Sequence, residues 1–423
     1  MIGILIASAV IGLDTRRTLA YQGFTFFSVL VLISGIWCLF FRASFTARRV
    51  LPRFGTAGEP LAYRIIIRSM SREQQRGLYL FEEFGDPSPT LEEFLEIPEP
   101  GEDHRNLFDQ AFGVYRWRWL VSRKQGPSFR ARSLPVLLPR SEGELNVEIL
   151  PTRRGYLRFT EMSVARPDPF GLLYAIFNIQ APESLLILPK RYALPQISLP
   201  GTRRYQSGGV ALTSSVGESE EFISMRDYRP GDSLRRIHWK SWAKTGKPVV
   251  REYQDEFFVR HALILDTFQD AAYSEVFEEA VSVAASFACT IRTRDSLLDL
   301  MFVGPEAYCF TSGRGLSHTD KTLEILASVS ACREKPFSVL PPMVFERASV
   351  LSGCICILLL WDEERKHFVS QLRGFGMPLL VLVITDKDGD NNYDPGPMKD
   401  QPENFHRLEV GKIQEGLSGI CET

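Results

Sequence analysis

The spacing of apolar residues changes from one region of the chain to the next, and each change predicts a different element. Residues 24–41 read FTFFSVLVLISGIWCLFF, without a charge and apolar on every helical face. At about 1.5 Å rise per residue such a run nearly crosses a roughly 30 Å hydrocarbon core, and residues 19–23 lengthen it. Residues 1–13 are also apolar but short for a span, and they lack the basic start and small-residue cleavage site of a signal peptide. They predict the remnant of a first helix, with Asp14-Thr-Arg-Arg17 as the turn of a helical hairpin. From residue 51 to about 200 the pattern becomes short alternating segments, such as Leu61-Ala-Tyr-Arg-Ile-Ile-Ile-Arg68 and Leu145-Asn-Val-Glu-Ile-Leu150, cut by Gly and Pro. Alternation of this kind predicts a β-sandwich-like module.

Within that module residues 90–125 break the pattern. Leu91-Glu-Glu-Phe-Leu95 and Asn106-Leu-Phe-Asp-Gln-Ala-Phe112 have helical spacing, which predicts an insertion. Trp117 and Trp119, two apart with Arg116 and Arg118 beside them, read as a strand with one buried face in preference to an aromatic-basic binding edge. Arg166-Pro-Asp-Pro-Phe-Gly171 is a turn signature before an apolar strand. After residue 257 buried-strand runs alternate with helical ones: strands at 258–265, 297–303, 355–360 and 378–384, helices at 274–290, 320–331 and 363–375. That alternation predicts an α/β domain with a mostly parallel sheet. The expected architecture is therefore α+β and multidomain. It comprises a membrane anchor at 1–45 (span about 19–41), a β-rich domain at 46–200, a motif segment at 201–256 and an α/β domain at 257–423.

Composition removes some functions. Lys plus Arg number 49 and Asp plus Glu 51, which leaves no basic surplus of the kind that marks nucleic-acid binders. Seven cysteines, none between residues 39 and 288, form no disulfide framework and fit a reducing compartment. Arg42, Arg48, Arg49 and Arg53 follow the apolar run, whereas Arg16 and Arg17 precede it. The excess predicts an inner (plasma) membrane protein whose soluble domains face the cytoplasm. The chain carries no Gly-rich phosphate loop, nucleophile elbow or His-Glu-x-x-His motif, so the expectation is a protein that is not an enzyme.

The densest chemistry lies in residues 217–254, GESEEFISMRDYRPGDSLRRIHWKSWAKTGKPVVREYQ. Here Arg226, Tyr228, Gly231, Asp232, Arg235, Arg236, His238, Trp239, Lys240 and Lys244 combine charge with aromatic surface. Such a group forms either a satisfied network, acting as a clasp between domains, or a recognition surface. The clasp reading pairs Asp232 with Arg235 or Arg236 and packs Trp239. The turn at Gly231-Asp232, a polar helix within 233–244 and an extended segment at 248–253 are the elements expected.

This window resembles the bacterial domain of unknown function 58 family, through Arg226, Tyr228, Gly231-Asp232, Arg236-Ile-His-Trp-Lys240, Ala243-Lys244 and Val250-Arg-Glu252. Arg154-Gly155 and Pro169-Phe-Gly171 extend the resemblance over most of the chain. It implies a von Willebrand factor A-like fold after the motif. It also implies a MoxR-type AAA+ ATPase as partner, together with a transglutaminase-like membrane protein, and an adaptor or scaffold role in assembly of envelope-linked complexes. In such a fold a metal-dependent site would read Asp-x-Ser-x-Ser after the first strand. This chain has Asp266-Thr-Phe-Gln-Asp270, in which Asp266, Thr267 and Asp270 are a degenerate candidate metal set, and no cofactor is expected. Two other readings stand beside the adaptor: a solute-sensing membrane receptor, and a hydrolase using His238 and Asp232.

Overall fold

The computed structural model describes residues 18–41, 44–85, 89–96, 102, 113–124, 129–195, 222–230, 232, 234, 237–253, 259–270, 274–290, 296–312, 316–386 and 394–421. The expected short helix at 1–13, its turn at 14–17 and the helical run at 106–112 lie outside these residues. The chain divides into two compact units, Met1–Lys190 and Arg191–Thr423.

The first unit begins with α1 (Thr18–Leu39), 22 residues without an acidic residue in the first turn or a basic one in the last. Its window Gln22–Leu39 has a mean hydropathy of 1.8 and is long and apolar enough to cross a membrane. The strands that follow are β1 (Phe45–Val50), β2 (Phe54–Thr56), β3 (Leu61–Ser69) and β4 (Tyr79–Phe84). After the helices α2 (Leu91–Glu96) and α3 (Val114–Lys124) come β5 (Arg132–Ser133), β6 (Glu142–Ile149), β7 (Gly155–Pro167) and β8 (Tyr174–Leu188). They form a three-stranded sheet, β1-β3-β6, and a five-stranded sheet, β2-β8-β7-β4-β5. Burial alternates along β3, with Leu61, Tyr63, Ile65 and Ile67 inward and Ala62, Arg64 and Arg68 outward, as period two requires of a sheet with one wet face. Inward residues of both sheets, among them Ile65, Ile67, Leu80, Phe159, Met162 and Ile187, share one core.

One polar link crosses that core. Arg49 of β1 donates from Nε and Nη2 to the Glu82 carboxylate of β4, at 2.8 Å for Nη2, and both side chains are fully buried. Its Nη1 donates to the Ala181 carbonyl of β8, and the guanidinium lies 4.7 Å from the Phe159 ring centroid. Burial pushes the Glu82 carboxyl up, and the bonds from Arg49 oppose that shift.

Residues 114–124 correct the expected strand at Trp117 and Trp119. They form the helix α3, with Trp117 exposed and against Phe94 (ring centroids 6.1 Å apart) and Arg116 paired with Glu102 at 2.6 Å. The two-residue spacing puts both tryptophans on one face of a strand but on different faces of a helix, so local spacing points to the strand. The partners that override it, Phe94 and Glu102, lie in the preceding segment.

In the second unit β9 (Phe222–Asp227), α4 (Trp239–Thr245) and β10 (Val249–Tyr253) precede an α/β array. The array comprises β11 (Val259–Leu265), α5 (Glu275–Thr290), β12 (Ser296–Val303), β13 (Ala307–Ser312), α6 (Leu316–Ser328), α7 (Leu340–Phe345), β14 (Gly353–Leu358), α8 (Glu363–Gly374), β15 (Leu379–Thr385), β16 (Phe405–Glu409) and α9 (Ile413–Ser418). Its sheet has the order β13-β12-β11-β14-β15-β16, parallel throughout except for the antiparallel β12–β13 pair. Every residue of β14 and β15 is buried, as a central parallel strand covered on both faces requires. The strand and helix alternation falls where the apolar runs place it, with ends moved by a few residues; β13, α7, β16 and α9 are additional.

The buried Arg49–Glu82 pair yields the first prediction. Arg49→Ala leaves a carboxylate in the core without its cation and should cost about 3–5 kcal/mol. Denaturant unfolding of the parent and the variant measures it, and Arg49→Lys should recover only part of the loss, because an ammonium cannot reproduce the two-pronged contact.

Candidate functional site

The motif window folds as a hairpin carrying a short helix. Strands β9 and β10 pair antiparallel, with Val250 opposite Arg226 and Val249 opposite Asp227. The connection is fastened to β10 by backbone bonds from Tyr228 N to Pro248 O at 2.9 Å and from His238 N to Val249 O at 2.8 Å. Ile237 bridges Val250, and both side chains are buried, giving this small module an apolar seat. Helix α4 ends at Gly246, whose φ of +70° is left-handed and whose N–H donates to Trp242 O. Glycine adopts that conformation without a Cβ penalty.

Asp232 is the hub of the loop. Arg226 donates from Nη1 and Nη2 to its two oxygens at 2.7 and 2.8 Å, and the Arg229 amide adds a third bond at 2.8 Å. The bonds from Arg226, then the Arg229 amide, hold the Asp232 carboxyl down to about 2. Among the described residues the pairing runs to Arg226, on β9; Gly231, Arg235 and Arg236, and with them the expected pairing of Asp232 to Arg235 or Arg236, lie outside the described residues. His238 Nδ1 lies 2.6 Å from Ser241 Oγ, and Ser241 in turn contacts Met225 Sδ of β9 at 3.3 Å. His238 and Asp232 thus have separate partners. Trp239 corrects a second expectation: it is 62% exposed, stacked on Trp242 at 5.2 Å and 19°. Leu234, Met225, Lys240 and Lys244 are exposed too. The bidentate ion pair fixes the loop, and the module turns aromatic and cationic groups to solvent.

The candidate metal residues stand at the carboxyl ends of the parallel strands. Asp266 follows β11 and is fully buried, and its oxygens accept from Arg365 Nε at 2.6 Å, Arg365 Nη2 at 3.3 Å, Phe268 N at 3.0 Å and Leu359 N at 3.1 Å. Burial pushes its carboxyl up, and Arg365 and the two amides oppose that. Arg365 also reaches Asp362 at 2.6 Å and lies 4.6 Å from the Phe337 ring centroid. The Thr267 hydroxyl donates to the Val303 carbonyl, and the Asp270 carbonyl accepts from Arg333 Nε at 3.1 Å. A guanidinium thus occupies the position beside Asp266 where a divalent cation would need oxygen ligands. Among the described residues no three His, Cys, Asp or Glu side chains gather to hold a metal ion.

Sequence patterns do not single out Arg365. The available signal was Asp362-Glu-Glu-Arg365 at the start of α8, where Asp362 caps the helix by accepting from the Arg365 amide at 3.0 Å. A helix N-terminus favours anions, so a cation there calls for carboxylate partners.

Residues 224–340, from β9 to the start of α7, match the family model described as "Protein of unknown function DUF58". That match identifies residues 224–340 as a DUF58 segment. The DUF58 segment thus contains the hairpin module, Asp266 and the first three strands of the array. The chain is also 25% identical over 196 residues to "Uncharacterized protein YeaD" of Bacillus subtilis (strain 168), covering 46% of this chain and 48% of that protein. It therefore spans about half the length of that relative. Among solved structures, the CARDB domain of PF1109 from Pyrococcus furiosus is 12% identical, covering 33% of this chain and 94% of its own, at a TM-score of 0.17. The ASH/PapD-like domain of human CEP192 is 9% identical, covering 34% and 85%, at the same TM-score of 0.17. Likenesses this slight have no bearing on the fold.

Two predictions follow from these ion pairs. Arg365→Met strands the buried Asp266 and should lower unfolding stability by about 3–5 kcal/mol, read by denaturant titration. Asp232 behaves differently, because a carboxyl depressed below its ordinary 3.8 contributes stability above that pH and loses it as pH falls toward about 2. Its side-chain carbon resonance should therefore titrate at about 2, and Arg226→Gln should move the midpoint back toward the ordinary value.

Proposed function

We propose that this chain is a membrane-anchored adaptor without catalytic activity, in which the DUF58 segment presents a docking surface to an AAA+ ATPase of the MoxR type. The observation that carries the reading is the exposed Trp239, stacked on the half-buried Trp242 of α4 beside Lys240 and Lys244, in a module where Arg226 of β9 pairs with Asp232. Exposed tryptophan on a pre-ordered backbone is the composition of a binding hot spot, and flanking lysines select an acidic partner surface. The ATPase itself comes from the resemblance of the motif to its family. Helix α1 supports the anchor, and the basic residues after it support a cytoplasmic orientation. The strand order of the second unit, with an aspartate directly after its first central strand, supports a von Willebrand factor A-like domain. On this reading Arg365 stands in for the cation of a metal-dependent member, and the domain engages its partner without one.

Affinity purification of the full chain from membranes, with and without ATP, tests the proposal. A MoxR-type ATPase should be recovered in the presence of nucleotide, and Trp239→Ala with Lys240→Glu should abolish its recovery without changing the melting temperature. Undiminished recovery with that double variant would remove the docking surface, and absence of any AAA+ ATPase in both states would remove the partner.

A further inference from the structure

The turn between β7 and β8 meets the membrane helix, and its surface is apolar. Residues 169–177, Pro-Phe-Gly-Leu-Leu-Tyr-Ala-Ile-Phe, contain no charge, and Tyr174 supplies the one polar side-chain group. Phe170 is 50% exposed, Tyr174 49% and Ile176 62%. Exposed apolar residues clustered at a hairpin tip call for a covering phase.

The contact with α1 identifies that phase. Asp168, at the start of the turn, accepts from the Ser34 hydroxyl of α1 at 2.8 Å, and Ser34 is fully buried on a helix whose neighbouring Ile33, Ile36 and Trp37 are open. Arg166 lies 4.6 Å from the Phe41 ring centroid, just past the end of that helix. Ser34 stands five residues before Leu39, which is about 7.5 Å along the axis. The turn therefore reaches past the end of the apolar helix and runs beside its last turns. A charge at that depth demands compensation, and Asp168 has it: besides Ser34, its oxygens accept from the amides of Phe170, Leu172 and Leu173 at 3.0, 2.7 and 2.8 Å. Burial alone would raise the Asp168 carboxyl, but these donors hold it below the usual carboxylate range.

We infer that the β7–β8 tip is a second membrane contact, inserted into the headgroup and upper acyl layer of the bilayer that α1 crosses. Phe170, Leu173 and Ile176 meet acyl chains, Tyr174 sits with its hydroxyl toward the headgroups, and Arg166 extends to the lipid phosphates. Insertion of about 5–10 Å is the depth at which interfacial segments rest. The tip fixes the first unit at the membrane surface by two points, where a lone helix would leave it free to swivel. The inference rests on α1 spanning the membrane.

Site-specific photocrosslinking of the full chain in phosphatidylcholine nanodiscs tests it. The crosslinker p-benzoylphenylalanine replaces Phe170, Ile176, Leu32 of α1, or Tyr156, which is exposed at the far end of β7. Lipid adducts at 170, 176 and 32 with none at 156 are expected. Adducts at 32 but none at 170 and 176 would overturn the inserted tip and leave the membrane helix standing; no adduct at any position would overturn both. Adducts at 170 to a second protein chain in place of lipid would assign the tip to a protein partner and refute the bilayer contact.

Discussion

A carboxylate taken out of water must be met by donors fixed in place, and among the described residues Glu82, Asp266 and Asp168 each join separate elements under that constraint. Glu82 holds Arg49 between the two sheets of the first unit, Asp266 gathers Arg365 and two amides at the end of the central strands, and Asp168 joins a hairpin turn to Ser34. Each pins together elements that the apolar core alone would leave free to slide, since hydrophobic burial has no directional preference. Glu82 links β1 to β4, Asp266 links β11 and β14 to α8, and Asp168 links α1 to the β7–β8 turn. These bonds add little net stability over a well-packed apolar replacement, but breaking one leaves an unpaired charge.

The same constraint separates the two candidate sites. Asp266 and Arg365 are enclosed and mutually satisfied, so their chemistry is spent inside the domain. The Arg226–Asp232 pair is partly open, with side-chain exposures of 36% and 19%, and it joins β9 to the turn at Arg229 while Trp239 of α4 is exposed. A surface pair is worth little as stabilisation, and more as a means of limiting the conformations of the loop.

Much of the layout was legible in sequence because it rests on period. The charge-free run at 24–41, the alternation at 61–68 and the unbroken apolar runs of β14 and β15 each specify an element by local pattern. Long-range partners have no such signature. Nothing near Asp266 in sequence announces Arg365, 99 residues away, and nothing near Asp232 announces Arg226 until β9 is formed and its side chain faces the loop. At 114–124 the spacing of Trp117 and Trp119 suits a strand, and the helix forms because its contacts with Phe94 and Glu102 override that local pattern. The turn at 166–171 was recognised as a turn, but its apolar surface acquires meaning only when Ser34 stands beside it.

The pairing of β2 with β8 bears on how the chain is made. Residues 54–56 lie parallel to 186–188, so this edge of the five-stranded sheet closes over about 130 residues of intervening chain. Contacts of such separation must wait for loop closure, and they form slowly. During synthesis α1 leaves the ribosome long before β8 exists, and β2 is until then an unpaired edge. The order of emergence thus leaves the first unit to be completed long after α1 has formed.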